Sequence, residues 1–273
     1  MSLPEPHPAG VALVTGASAG IGAAIARELA RRGHGVVLVA RRQERLQALA
    51  TELGDEFGVL TEVIPCDLAK PLARQRLVAR IGRLGLEVDI LVNNAGFATG
   101  GPFHESDPER ELQQVRVLVE AVVALSSAFI GPMVERGRGA VMNVASTAGM
   151  QPMPYSSGYS AAKAYVLAFS EALHQELGHQ GVTVTALAPG PVSTEFWEIA
   201  GWEVGAGQSF EKAVPRPAWV TAEHAAKAGV DGLAAGRRVV VPGLPIRTAM
   251  LAARYLPHAV KLPTVEWMMR PRS

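Results

Sequence analysis

Three residues suited to proton chemistry stand at fixed steps along the chain. Ser146 lies in V-A-S-T-A-G, and thirteen positions on, Y-S-A-A-K supplies Tyr159 and Lys163. Residues four apart on a helix share one face, with side chains close enough to touch. An ammonium beside a phenol favours the phenolate and lowers the tyrosine pKa from its reference of about 10. A tyrosine so placed is an acid or base for moving a proton to or from an alcohol oxygen. The same pair also reads as an ordinary helix surface pair, so its meaning rests on what the fold brings to it.

Strand-like and helix-like segments alternate from end to end. Strands are expected at 11–15, 35–40, 59–66, 88–92, 139–146, 183–188 and 238–241. Helices are expected at 20–32, 42–53 (closed by Gly54), 71–83, 108–136 and 157–179. Apolar strands without alternation, each followed by a helix, indicate an α/β fold: a doubly wound parallel sheet covered on both faces. Residues 1–242 read as a single Rossmann-type domain, with an irregular loop at 190–220 as the natural substrate loop. A helical extension follows at 243–273.

T-G-A-S-A-G-I-G at 15–22 falls at the turn from the first strand into the first helix, where a doubly wound sheet receives a dinucleotide. Gly16 permits the tight turn, Gly20 clears the approach of a pyrophosphate, and Gly22 allows close packing of helix on sheet. The helix N-terminus then offers free N–H groups to the phosphates. The alternative is a plain Gly-rich turn. The second strand ends in Ala40-Arg41-Arg42, where an NAD enzyme would place an acid for the ribose hydroxyls. Two cations at a helix start oppose its dipole, and a nearby anion such as a 2′-phosphate would account for them. The expectation is NADP(H) over NAD(H), against the alternative of a solvated basic face.

These residues together resemble the short-chain dehydrogenase/reductase family over roughly residues 10–242. The signals, in order, are T-G-A-S-A-G-I-G, C-D-L at 66–68, N-N-A-G at 93–96, Ser146, Y-S-A-A-K and P-G-P-V-S-T at 189–194. The resemblance implies hydride transfer between NAD(P) and a carbonyl or alcohol. It makes Tyr159 the proton donor, Lys163 the group that lowers its pKa and bonds the nicotinamide ribose, and Ser146 the residue that orients the carbonyl. It implies cofactor contacts from Gly16, Ser18, Gly20, Ile21 and Gly22; from Asp67 (to adenine) and Leu68; and from Asn93 (near the adenosine ribose), Ala95 and Gly96. Pro189, Gly190, Val192 and Thr194 complete the set, the last two toward the nicotinamide amide. One position departs from the family pattern. Leu118 stands where many members carry an asparagine that holds a proton-relay water, so the relay is either reorganised or slower.

Composition narrows the remaining classes. A net charge of +1 gives no field for nucleic acid, and the single cysteine, Cys66, excludes an intramolecular disulfide and fits the cytoplasm. The N-terminus lacks the pattern of a secretory signal, and the apolar stretch near 121–134 is too short for a membrane span. The histidines are scattered, with no spacing that indicates a metal site. Met150, Met153, Phe196, Trp197 and Trp202 are candidate pocket walls, or equally core or interface residues, and together favour a small apolar carbonyl or alcohol substrate. The M-V-E-R-G-R-G segment at 133–139 resembles actinobacterial-type members of the family, which implies a lipid 3-oxoacyl group as one candidate. The extension is basic and amphipathic; it could lie on an anionic membrane, close the pocket or pack at a subunit interface, the membrane being the less favoured. The two long helices resemble those that build homodimers and homotetramers in this family. The rival to a reductase is a non-catalytic NADP-binding sensor or scaffold.

Overall fold

A computed structural model describes residues 3–200, 203–204, 208–209, 214 and 216–270. Its centre is a seven-stranded, wholly parallel sheet in the order β3-β2-β1-β4-β5-β6-β9. The strands are β1 (Gly10–Thr15), β2 (Gly35–Ala40), β3 (Thr61–Pro65), β4 (Glu87–Asn93), β5 (Gly139–Val144), β6 (Val182–Leu187) and β9 (Val239–Val240). Every residue of β1, β5 and β6 is buried, as a sheet covered on both faces requires. A short antiparallel pair, β7 (Glu203–Val204) and β8 (Gln208–Ser209), lies apart from it.

The helices are α1 (Gly20–Arg31), α2 (Gln43–Phe57), α3 (Pro71–Arg83), α4 (Pro108–Val115), α5 (Ala121–Glu135), α6 (Ser157–Leu177), α7 (Phe196–Ala200), α8 (Ala222–Ala234), α9 (Leu244–Arg254) and α10 (His258–Met269). One apolar layer forms where α1, α2 and α8 cover the sheet, and a second lies under α3 and α5. Strand order reverses direction between β1 and β4, and the crevice at the carboxyl ends of those strands is where such sheets bind ligands.

Two expectations need correction. Gly54 lies inside α2 and does not close it; the helix runs on to Gly58, whose φ of 65° is the left-handed conformation that ends helices. The apolar stretch at 121–134 belongs to a longer helical run. A π-helical turn (Arg116–Glu120) joins α4 to α5, and the run Pro108–Glu135 is long and apolar enough to cross a membrane. Here its Leu118, Ala121, Val122, Leu125, Phe129 and Met133 are buried among core residues of this fold.

Candidate active site

The turn between β1 and α1 is built by close approach. Gly16 and Gly20 have φ of 67° and 55°. A Cβ on Gly16 would lie 2.7 Å from Asn94 Nδ2 and 2.8 Å from Ala95 Cα. One on Gly22 would collide with Gly16 O and Asn94 Nδ2, so this glycine packs the helix onto the turn. Asn94 fixes the pair from the neighbouring strand: its Nδ2 donates to Thr15 O (2.9 Å) and its N–H to Thr15 Oγ1 (2.9 Å). Among the described residues no side chain caps α1, which leaves its first N–H groups free of a side-chain acceptor from them.

Above this turn lies a cavity of about 730 Å³. All the site residues expected from sequence line it except Gly22 and Asn93. Gly22 sits behind the turn. Asn93 faces the interior, where its Nδ2 donates to Asn143 Oδ1 (2.8 Å) and Ser126 Oγ (3.3 Å); Asn94, one residue on, is the one that reaches the cavity. Of the expected apolar walls, Met153, Phe196 and Trp197 line the cavity, whereas Met150 packs in a separate cluster with Val122 and Val166. Trp202 lies outside the described residues.

Ser146, Tyr159 and Lys163 converge on one wall. Ser146 follows β5 and caps the short helical turn Thr147–Met150, accepting from Ala148 N–H at 3.1 Å. A Ser146–Tyr159 hydrogen bond favours the phenolate, but burial outweighs it and pushes the phenol up to about 12. Burial also pushes the Lys163 ammonium down to about 8; its Nζ donates to Val144 O at 2.6 Å and lies 5.7 Å from the Tyr159 ring centroid. The expected lowering of the tyrosine is therefore reversed here. Desolvation of the buried phenol exceeds the help of its Ser146 hydrogen bond. Leu118 is 1% exposed and flanks this pair: a Cβ on Gly96 would lie 2.7 Å from Leu118 Cδ2 and 3.9 Å from Lys163 Nζ.

Two features of the site were not legible in the sequence, and a third, the place of the extension, was left open by it. Gln113 and Gln151 place amides on a mostly apolar lining. The extension lines the cavity, through Ile246, Ala249 and Met250 of α9 and Val265, Met268 and Met269 of α10. Val265 and Met269 share an apolar cluster with Tyr159, Leu118 and Phe196. Glu195 stands at the rim beside Arg42.

Among the described residues, His7, Glu87 and Asp89 form one cluster spaced as metal ligands are, an arrangement the histidine spacing did not foretell. Arg138 pairs with Glu87 at 2.9 Å and Arg136 with Asp89 at 3.4 Å, so the carboxylates already have cationic partners.

The family model described as short chain dehydrogenase matches residues 10–201. A very-long-chain 3-oxoacyl-CoA reductase of Anas platyrhynchos is 36% identical over 75% of this chain and 64% of its own length. An NADP-dependent 3-hydroxy acid dehydrogenase of Salmonella typhi is 38% identical over 74% of this chain and 81% of its own. A short-chain dehydrogenase from Sphingobium yanoikuyae, solved in complex with NADPH, superposes with a TM-score of 0.79 at 32% identity, covering 97% of this chain and 98% of that one. With the glycine turn, the Ser–Tyr–Lys wall and the seven-stranded sheet in place, the chain belongs to the short-chain dehydrogenase/reductase family of oxidoreductases.

Proposed function

We propose that this protein uses NADPH to reduce an apolar 3-oxoacyl-type carbonyl to the corresponding alcohol, reversibly, with Tyr159 as proton donor. The observation that carries the reading is one cavity holding both halves of the reaction. The phosphate-cradling turn and Arg41–Arg42 lie on one side, and Ser146, Tyr159 and Lys163 on the other. NADPH supplies the hydride, and the residues of this chain supply position and proton.

Reduction builds negative charge on the carbonyl oxygen. The Ser146 and Tyr159 hydroxyls share one hydrogen bond and together face the place where that charge develops. Tyr159 keeps its proton at working pH because burial raises its pKa, so it enters reduction as an acid. Lys163 stands one helical turn away on the same face, where its charge stabilises the phenolate left behind. The fit to NADP rests on the turn glycines, whose missing side chains leave room for the pyrophosphate, and on the two arginines after β2. The 3-oxoacyl assignment draws on two relatives, one named for a 3-oxoacyl-CoA and one for a 3-hydroxy acid, and on apolar walls from Met153, Phe196, Trp197, Met268 and Met269. A homodimer or homotetramer fits exposed Leu112, Val115 and Tyr165 on the helical run and α6.

A non-catalytic NADP-binding sensor is the rival, favoured by Leu118 filling the space beside Lys163. Oxidation of NADPH with a panel of 3-oxoacyl thioesters and bulky ketones separates the two. We expect turnover with apolar members and its loss, by at least about a hundredfold, in Tyr159→Phe. Tight cofactor binding with no turnover of any carbonyl would favour the sensor.

A further inference from the structure

Glu195 ties two parts of the site together across the cavity rim. Its Oε1 lies 2.5 Å from Arg42 Nη2 and its Oε2 2.8 Å from Arg45 Nη1. Arg42 also donates from Nε and Nη2 to Ser18 Oγ in the glycine turn, at 3.2 and 3.0 Å. The residue before Glu195 lies over that turn as well: a Cβ on Gly20 would approach Thr194 Cγ2 to 3.1 Å. Ser18, Arg41, Arg42, Thr194 and Glu195 all line the cavity.

The charges are unequal. Arg42 and Arg45 share one carboxylate, Arg41 has no ion-pair partner among the described residues, and Asp67, 3.8 Å from Lys70, is a second acid on the cavity lining. The excess of guanidinium over carboxylate around Glu195 suits a phosphate monoester, which carries about −1.5 to −2 near neutral pH. Glu195 is the discordant member, because a carboxylate and a phosphate repel one another over a shared guanidinium. With Nε and Nη2 already committed to Ser18 and Glu195, Arg42 has to release one partner to accept a phosphate in fork geometry.

We propose that Glu195 is a specificity-determining residue that holds Arg42 and yields it to the 2′-phosphate of the cofactor, so that it sets how strongly the 2′-phosphate is preferred. This rests on the NADPH reading above. Released from Arg42, Glu195 keeps Arg45 as its partner, and the segment after β6 loses one of its two ties to α2. The pair is partly exposed, with side chains 41% and 29% accessible, so the effect is that of a screened ion pair.

Calorimetric Kd values for adenosine 2′,5′-bisphosphate and adenosine 5′-monophosphate, on wild type and Glu195→Gln, test this without turnover. The expected result is that Glu195→Gln binds the bisphosphate about two- to fivefold more tightly and the monophosphate unchanged. A wild type that prefers the bisphosphate, with Glu195→Gln equal to it or weaker, would overturn the proposal alone. A wild type that binds both ligands equally would contradict the NADPH reading and take this proposal with it.

Discussion

At the scale of single residues, the centre of the site is a balance between burial and charge. Tyr159 is 7% exposed and Lys163 is 5% exposed, and desolvation moves each toward its neutral form. For Lys163 the sign has a consequence for stability. Its folded pKa of about 8 lies below the unfolded value of 10.5, so the unfolded chain binds more protons between those two pH values. Burying the ammonium therefore costs stability below about pH 8, and that cost fades as pH rises toward 10. We expect wild type to gain stability relative to Lys163→Met between pH 8 and 10, read as a narrowing or reversal of their Tm difference. A difference independent of pH would contradict the assigned pKa. The same ionisation predicts that kcat/KM for reduction declines above about pH 8, while Tyr159 stays protonated throughout.

At the scale of elements, the β1–α1 turn is the part on which binding depends most. Gly22→Ala would set a methyl against the Gly16 carbonyl and the Asn94 amide, both held by backbone and hydrogen bonds and unable to retreat. Overpacking of this kind costs about 1–3 kcal/mol. The expected outcome is a lower urea midpoint together with weaker NADPH binding; an unchanged midpoint would show that the turn yields. Much of this scale is legible in the sequence, since apolar runs and glycine breaks mark β1, β2, β4 and α3 to within a residue or two. What is not legible depends on facing and on distant partners. N-N-A-G does not reveal that Asn93 turns inward to Asn143 while Asn94 reaches Thr15, because the end of β4 decides that by its register with β1 and β5. Nor does Gly54 reveal that α2 continues, because its neighbour Leu53 is buried in the core and Gly58 supplies the left-handed stop. Glu195 escapes notice for the same reason, its partners lying 153 and 150 residues earlier.

At the scale of the whole molecule, one cavity is lined by residues drawn from Gly16 to Met269, nearly the full length of the chain. The extension, which composition left open among membrane, interface and lid, lines the cavity with one face of α9 and α10. It leaves Leu244, Leu251 and Val260 exposed on those helices and Tyr255 and Leu256 exposed on the turn between them. The central claim, resting on the proposed function, is that hydride passes in this cavity from NADPH to a carbonyl carbon while Tyr159 protonates the oxygen. Turnover with NADPH deuterated at the transferring position, followed by mass spectrometry of the alcohol, tests it most directly. The account predicts one deuterium on the carbinol carbon and none on the oxygen after exchange into ordinary water, with no labelled product from Tyr159→Phe. Tight NADPH binding with no deuterium reaching any 3-oxoacyl or ketone substrate would contradict it.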